Sequence, residues 1–364
     1  MPRRGGKPFE FKGYSGAPKT LKKSPREEVS KQSLPRSDPR RSAVPKNALV
    51  RGGPGGVFSA ATHKEYVVRD EFADYQGLVA DTPMRRLRKL VTRDDVEVYG
   101  KLEGTNLGGS VKDRAALGMI DAARRAGHLD GRRIVEATSG NTGIALAMIA
   151  ALEKVPITLL LPATATPERR AIMMAYGAEV ISVEDGIVAA RDLAQEMHDA
   201  GTHFQLNQFA NPANPQMHYE TTGPEVWRDT RGRVTHFVSS MGTTGTIMGT
   251  SRFLKEQRDD VTIVGVQPED GSRIPGIRRW PPEYLPAIFD PARVDTIIDV
   301  SETSARETTQ ALAAQEGLFV GLSSGGACYA ALQVAADAPS GSVIVFIVCD
   351  RGDKYLSMPN LFPR

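Results

Sequence analysis

Four short stretches of this 364-residue chain place chemistry-capable groups beside glycine. Three of them are rich in hydroxyls: Thr138-Ser139-Gly140-Asn141-Thr142-Gly143, Met241-Gly242-Thr243-Thr244-Gly245-Thr246 and Ser323-Ser324-Gly325-Gly326. Glycine lets a backbone approach an anion, hydroxyls add donors, and a following helix adds positive potential at its N-terminus. A capped helix start needs the same residue types, so one such loop says little; three favour an anionic ligand over capping alone. The fourth stretch, Gly108-Gly109-Ser110-Val111-Lys112-Asp113-Arg114, carries a lysine at the start of an apolar-periodic helix over 115–123. A helix N-terminus repels a cation, and that field with partial burial lowers an amine's pKa, as Schiff-base chemistry requires. Taken alone, Lys112 reads as an exposed lysine beside Asp113.

Other chemistries lack their groups. The six histidines are scattered, with no His-Glu-x-x-His and no Cys-x-x-Cys, so no metal is expected. The glycines at 242–246 lack the Gly-Lys-Ser/Thr of a nucleotide P-loop.

The elements that must position these loops alternate. Apolar runs predict strands at 134–137, 157–161, 178–183, 235–240, 262–267, 319–322 and 342–349. Helical periodicity falls between them, at 143–152, 167–176, 186–200, 246–257, 302–315 and 326–336. Such alternation implies parallel sheets covered on both faces, with ligands beyond the carboxyl ends of the strands. The series is too long for one compact sheet. The expected fold class is therefore α/β with two doubly wound lobes. An N-terminal lobe spans 69–210, with a mobile subdomain at about 143–200. A C-terminal lobe spans 211–358 and carries the 242–246 loop, and 359–364 is a tail.

Charge divides the chain differently. Residues 1–60 hold 14 Lys+Arg against 4 Asp+Glu, with eight prolines and eight glycines; the remainder holds 32 against 39. A basic, apolar-poor segment cannot offset its chain entropy, so residues 1–68 are expected to form a disordered tail. Its few aromatic residues argue against a nucleic-acid partner. Two cysteines, Cys328 and Cys349, exclude a disulfide scaffold, and no run of 18 apolar residues predicts a membrane span. A cytoplasmic location is expected.

The ordered motifs resemble a known family. Lys101-Leu102-Glu103-Gly104 through Arg114 is similar to the lysine motif of the pyridoxal-phosphate enzymes of fold type II, and 136–143 to their substrate loop. The stretches Gln208–Pro215 and Thr221-Thr222-Gly223-Pro224-Glu225 narrow the resemblance to the cysteine synthases. Ile274-Pro275-Gly276-Ile277-Arg278-Arg279-Trp280-Pro281 and the 349–357 stretch resemble their B type, O-acetylserine sulfhydrylase B. The likeness covers about residues 76–357. It implies two lobes like those of the tryptophan synthase β-subunit, a homodimer, and pyridoxal 5′-phosphate as cofactor.

By that resemblance Lys112 holds the cofactor covalently, Asn141 meets its ring oxygen, and Ser323 faces its pyridine nitrogen. Gly242, Thr243, Thr244, Gly245 and Thr246 cradle its phosphate. Thr138, Ser139, Thr142 and Gln208 bind the substrate carboxylate, while Arg278, Arg279 and Asp350 face the second substrate. The implied reaction is β-replacement: O-acetyl-L-serine loses acetate, and sulfide or thiosulfate adds to give L-cysteine or S-sulfocysteine. O-phosphoserine as donor, cystathionine β-synthase, a serine/threonine dehydratase and a non-catalytic binding protein on the same scaffold are the alternatives. The chain departs from the family at Ala80-Asp81-Thr82-Pro83, where Gly-Asn-Thr-Pro is usual, and at Asn106-Leu107, where Asn-Pro is usual.

Overall fold

A computed structural model describes residues 75–138 and 140–362. The basic segment over 1–68 and Ser139 lie outside the described residues. The strands are β1 (Met84–Arg86), β2 (Glu97–Leu102), β3 (Arg133–Ala137), β4 (Ile157–Pro162), β5 (Glu179–Val183), β6 (His203–Gln205), β7 (His236–Ser240), β8 (Thr262–Pro268), β9 (Thr296–Val300) and β10 (Val343–Val348). The helices are α1 (Lys112–Arg125), α2 (Asn141–Leu152), α3 (Pro167–Ala175), α4 (Gly186–Asp199), α5 (Ala213–Met217), α6 (Gly223–Asp229), α7 (Gly245–Gln257), α8 (Glu302–Glu316) and α9 (Leu322–Asp337).

Two sheets result. The smaller runs β5-β4-β3-β6 and is wholly parallel; the larger runs β1-β2-β10-β7-β8-β9, parallel except where β1 pairs antiparallel with β2. Both are covered on both faces, which is why β10 is an unbroken apolar run and β4 is interrupted only by Thr158. Along β10, Ile344, Phe346 and Val348 enter one core while Val345 and Ile347 enter another. Along β4, Leu159 and Leu161 point into one core and Leu160 into the opposite one. The two-lobed α/β fold is as expected from the sequence.

Three expectations are corrected. The chain does not cross between lobes once near 210: β1 and β2, the first strands of the described residues, belong to the larger sheet, and the chain then builds the smaller sheet over 133–205 and returns. The strand signal of β2 was hidden by Gly100 and Lys101. Lys101 is fully buried because its ammonium meets Glu225 at 2.7 Å. Residues 319–322 form no strand: Val320 makes an isolated bridge to Arg351, and α9 begins at Leu322. Nor is 359–362 a loose tail, since Leu361 is buried in the core and Phe362 lies 4.6 Å from Phe319 between ring centroids.

The departure at 80–83 has a structural consequence. Ala80 (φ +124°) and Asp81 (φ +51°) occupy left-handed backbone, which is why glycine and asparagine suit these positions better. The turn is held from outside: Ala80 N donates to Asn106 Oδ1 (2.9 Å), and Asp81 N and Thr82 N donate to the Glu225 carboxylate (2.9 and 3.3 Å).

Candidate active site

The four glycine loops converge. Lys112, Thr138, Asn141, Thr142, Gln208, Gly242, Thr243, Thr246, Arg278 and Ser323 all line one cleft between the two sheets. The geometry follows from chain order, since each loop leaves the carboxyl end of a parallel strand or enters a helix there.

Lys112 is the first residue of α1 and is half-buried. Its neighbour Asp113 turns away and organises the preceding loop, accepting from Gly108 N (2.7 Å) and Ser110 Oγ (3.3 Å). Gly109 sits at φ +79°, and Lys354 Nζ donates to the Gly108 and Gly109 carbonyls (3.0 and 3.1 Å). Burial pushes Asp113 up to about 6, with Lys354 opposing. Arg114 is fully buried and anchors the helix start, reaching Glu103 and Glu225 at 2.7 Å each. Burial lowers the Lys112 amine below the ordinary lysine range, against the opposing charges of Cys349, Asp350, Glu103 and Asp113. Desolvation is the largest cause of that lowering.

Hydroxyl contacts hold the residues around the start of α2. Thr138 Oγ1 accepts from Gly140 N and Gly143 N (3.2 and 3.1 Å), fixing the entry to α2. Thr142 Oγ1 donates to Gln208 Oε1 (2.8 Å), whose Nε2 donates to Ala137 O (3.0 Å). Beneath them Glu136 accepts from Asn207 N and Gln208 N (2.8 and 3.2 Å), and burial pushes its carboxyl up to about 7.

The 242–246 loop is a tight cradle at the start of the 13-residue α7. A Cβ on Gly242 would stand 2.5 Å from Gly276 O, and one on Gly245 would stand 2.0 Å from Asn214 Oδ1. Thr244 adopts φ +71°, a strained position for a β-branched residue, and its Oγ1 is buried with no partner. Thr243 Oγ1 accepts from Asn214 Nδ2 (3.2 Å), and Thr246 Oγ1 meets His218 Nε2 (3.2 Å). Burial, then Arg114 and Lys112, push His218 well below the usual histidine range. Strain and an orphaned donor at a helix N-terminus fit a phosphate group.

Ser323 is buried in the first turn of α9, and its carbonyl accepts from Ser240 Oγ (2.8 Å). Cys349 lines the cleft as well, and burial pushes its thiol up to about 11 despite Lys112. Cys328 is fully buried core.

Two expected second-substrate residues are elsewhere. Arg279 points away from the cleft, paired with Asp270 (3.1 Å) and Asp299 (2.5 Å). Asp350 is fully buried behind the wall, accepting from Asn141 Nδ2 at 2.6 Å. Conversely, Arg169 lines the cleft and was not singled out from the sequence. Its position on amphipathic α3 looks like that of any half-surface arginine; what places it is Tyr355, whose ring it covers at 4.6 Å. A second cavity, between 162–187 and 268–279, shares Arg169, Ile187, Gly276 and Arg278 as walls with the cleft. Burial and then the nearby Arg169 charge lower Arg278 below the usual arginine range. Among the described residues no cluster could hold a metal ion, and no helix is long and apolar enough to cross a membrane.

Residues 75–350 match the family model of pyridoxal-phosphate dependent enzymes, and the chain belongs to that family. The orphaned Thr244 hydroxyl, the glycine cradle and the lysine across the cleft fit the cofactor that gives the family its name. Within the family the chain belongs to the cysteine synthases. It is 56% identical over 282 residues to cysteine synthase B of Salmonella typhimurium, covering 77% of this chain and 93% of that one. It is 52% identical over 289 residues to cysteine synthase B of Pseudomonas aeruginosa, covering 79% and 96%. The crystal structure of cysteine synthase from Entamoeba histolytica superposes with a TM-score of 0.76 at 32% identity, covering 84% of this chain and 94% of that one.

Proposed function

We propose that this chain makes L-cysteine, or S-sulfocysteine, by β-replacement on O-acetyl-L-serine with sulfide or thiosulfate. The observation that carries the reading is one cleft holding Lys112 opposite a strained anion cradle and beside a threonine-rich carboxylate loop. Pyridoxal phosphate, when bound, supplies an aldehyde for amines and a ring that draws off electron density. Lys112 would hold it, with Gly242 to Thr246 around the phosphate, Asn141 at the ring oxygen and Ser323 at the ring nitrogen.

The chain's own groups then divide the work. Thr138, Thr142 and Gln208 orient the substrate carboxylate, and Ser139 joins them in this reading. Lys112 takes the α-proton while acetate leaves, and returns it after sulfur adds; the burial that lowers its pKa favours the uncharged amine this needs. Arg278 and Arg169 line the cleft with mutually repelling charges, which suits an anionic second substrate. The segment at about 143–200 closes over the substrate and excludes water. The enzyme works as a cytoplasmic homodimer in this reading, which light scattering and fractionation of cells test.

The decisive experiment is a single-turnover assay. O-acetylserine is compared with O-phosphoserine, then sulfide with thiosulfate, and the amino-acid product is identified by mass spectrometry. Cysteine or S-sulfocysteine from O-acetylserine is the expected result. Release of pyruvate without sulfur incorporation would replace this reading with a dehydratase.

A further inference from the structure

Asp350 is an expensive residue for its position. It is fully buried, its Oδ2 accepts from both Asn141 Nδ2 and Tyr355 OH at 2.6 Å, and its Oδ1 has no partner. A buried, half-satisfied carboxylate costs stability that an apolar pair would not, so its presence calls for a role. The surroundings are shaped around it. A Cβ on Gly321 would stand 2.3 Å from Asp350 Oδ1 and 2.5 Å from the Tyr355 ring. The Asp350 backbone bridges Ser110, and Val111 N donates to Cys349 O (2.8 Å), so the carboxylate hangs from the loop that carries the lysine.

A carboxylate only accepts hydrogen bonds. Its contact therefore decides how the Asn141 amide lies: nitrogen toward Asp350, with one N–H and Oδ1 left over. That Oδ1 is buried and makes no hydrogen bond within the protein. We propose that Asp350, braced by Tyr355, is a positioning residue that locks the Asn141 amide in one orientation toward a ligand in the cleft. Asp350 acts through Asn141 and does not itself touch that ligand. The inference rests on Asn141 as a contact of pyridoxal phosphate.

The test is a double-mutant cycle on apoprotein titrated with pyridoxal phosphate, reading the dissociation constant and the induced circular dichroism of the bound chromophore. Asn141→Ala and Asp350→Ala are each expected to weaken binding about tenfold, the effect of one lost charge-assisted hydrogen bond. The double variant is expected to bind no worse than Asn141→Ala, because the two losses are one loss. Asp350→Asn, which keeps an acceptor oxygen, is expected to restore most of the affinity and the dichroic band. Additive losses in the double variant, or an unchanged Asp350→Ala beside a weakened Asn141→Ala, would overturn the inference alone. Wild-type affinity in Asn141→Ala would overturn the placement of the cofactor, and this inference with it. Should Asp350→Ala fail to fold, Tyr355→Phe carries the test: about threefold weaker binding is expected, because the brace reaches Asn141 only through Asp350. Unchanged binding there would overturn the bracing.

Discussion

Glu225→Gln is the perturbation that reaches furthest from fold to chemistry. Glu225 accepts from Arg114 Nη1 and Nη2 (2.7 and 2.8 Å), pairs with Lys101 (2.7 Å) and holds the strained 80–82 turn through two backbone N–H groups. Arg114 follows Lys112 by two positions, so this network seats the start of α1. A glutamine keeps one acceptor oxygen and turns an NH₂ toward donors that have no other use for it. Breaking a buried pair from one side costs about 3–5 kcal/mol. A loss of about 3 kcal/mol lowers Tm by about 6–10 °C in a domain of this size. Burial raises the Glu225 pKa, but Arg114 and Lys101 outweigh it and bring the carboxyl from 4.5 down to about 2. A depressed carboxyl contributes its full stability above the unfolded value and loses it as pH falls through the folded one. The gap between wild type and variant, measured by urea unfolding, is therefore expected to stay flat from pH 7 to about 5 and to narrow below 4.5. A Tm within 2 °C of wild type at pH 7, roughly a kcal/mol or less, would refute the reasoning. So would a gap that ignores pH down to 3.

Four further outcomes are expected. Lys112→Ala should fold with an apoprotein Tm at or above wild type, since a desolvated amine is removed, and give no product; turnover by this variant refutes the lysine's role. Gly242→Ala forces a methyl to 2.5 Å from Gly276 O, a clash worth about 1–3 kcal/mol, so pyridoxal phosphate should bind at least tenfold more weakly by equilibrium dialysis. Arg278→Met should raise KM for thiosulfate about tenfold or more while leaving sulfide nearly unchanged, which steady-state kinetics with both donors reads directly. Ala80→Gly relieves φ +124° and should add about 1 kcal/mol in urea unfolding, whereas lost stability would show that the turn is unstrained.

The sequence carried β4 and β10 because burial on both faces leaves almost only apolar residues to read. The runs 157–162 and 343–348 are buried at every position, and their signal survives without any partner. β2 fails that test. Its Gly100 accommodates Val348 and Phe346 side chains from β10, where a Cβ would stand 2.9 and 3.1 Å away, and its Lys101 is charged. Both residues look like loop until the neighbouring strand and Glu225 are in place. Misreading β2 moved the lobe boundary, because a strand that joins a sheet through a distant partner leaves no local mark of which sheet it joins.

The same division governs the site. The residues legible in the sequence are those whose duty is imposed by their own backbone: the Gly242 and Gly245 approaches, the Lys112 helix start, the Thr138 turn. Arg278 and Arg279 adjoin in sequence yet diverge in space, because Arg279 finds Asp270 and Asp299 while Arg278 turns back to the Ile277 carbonyl at 2.8 Å. Asp350 and Arg169 both pack on Tyr355, to which the 349–357 motif gives no role of its own. A glycine loop constrains the path of the chain and so writes itself into the residue types around it. A supporting side chain constrains only its partner, and the partner's identity emerges when the fold brings the two together.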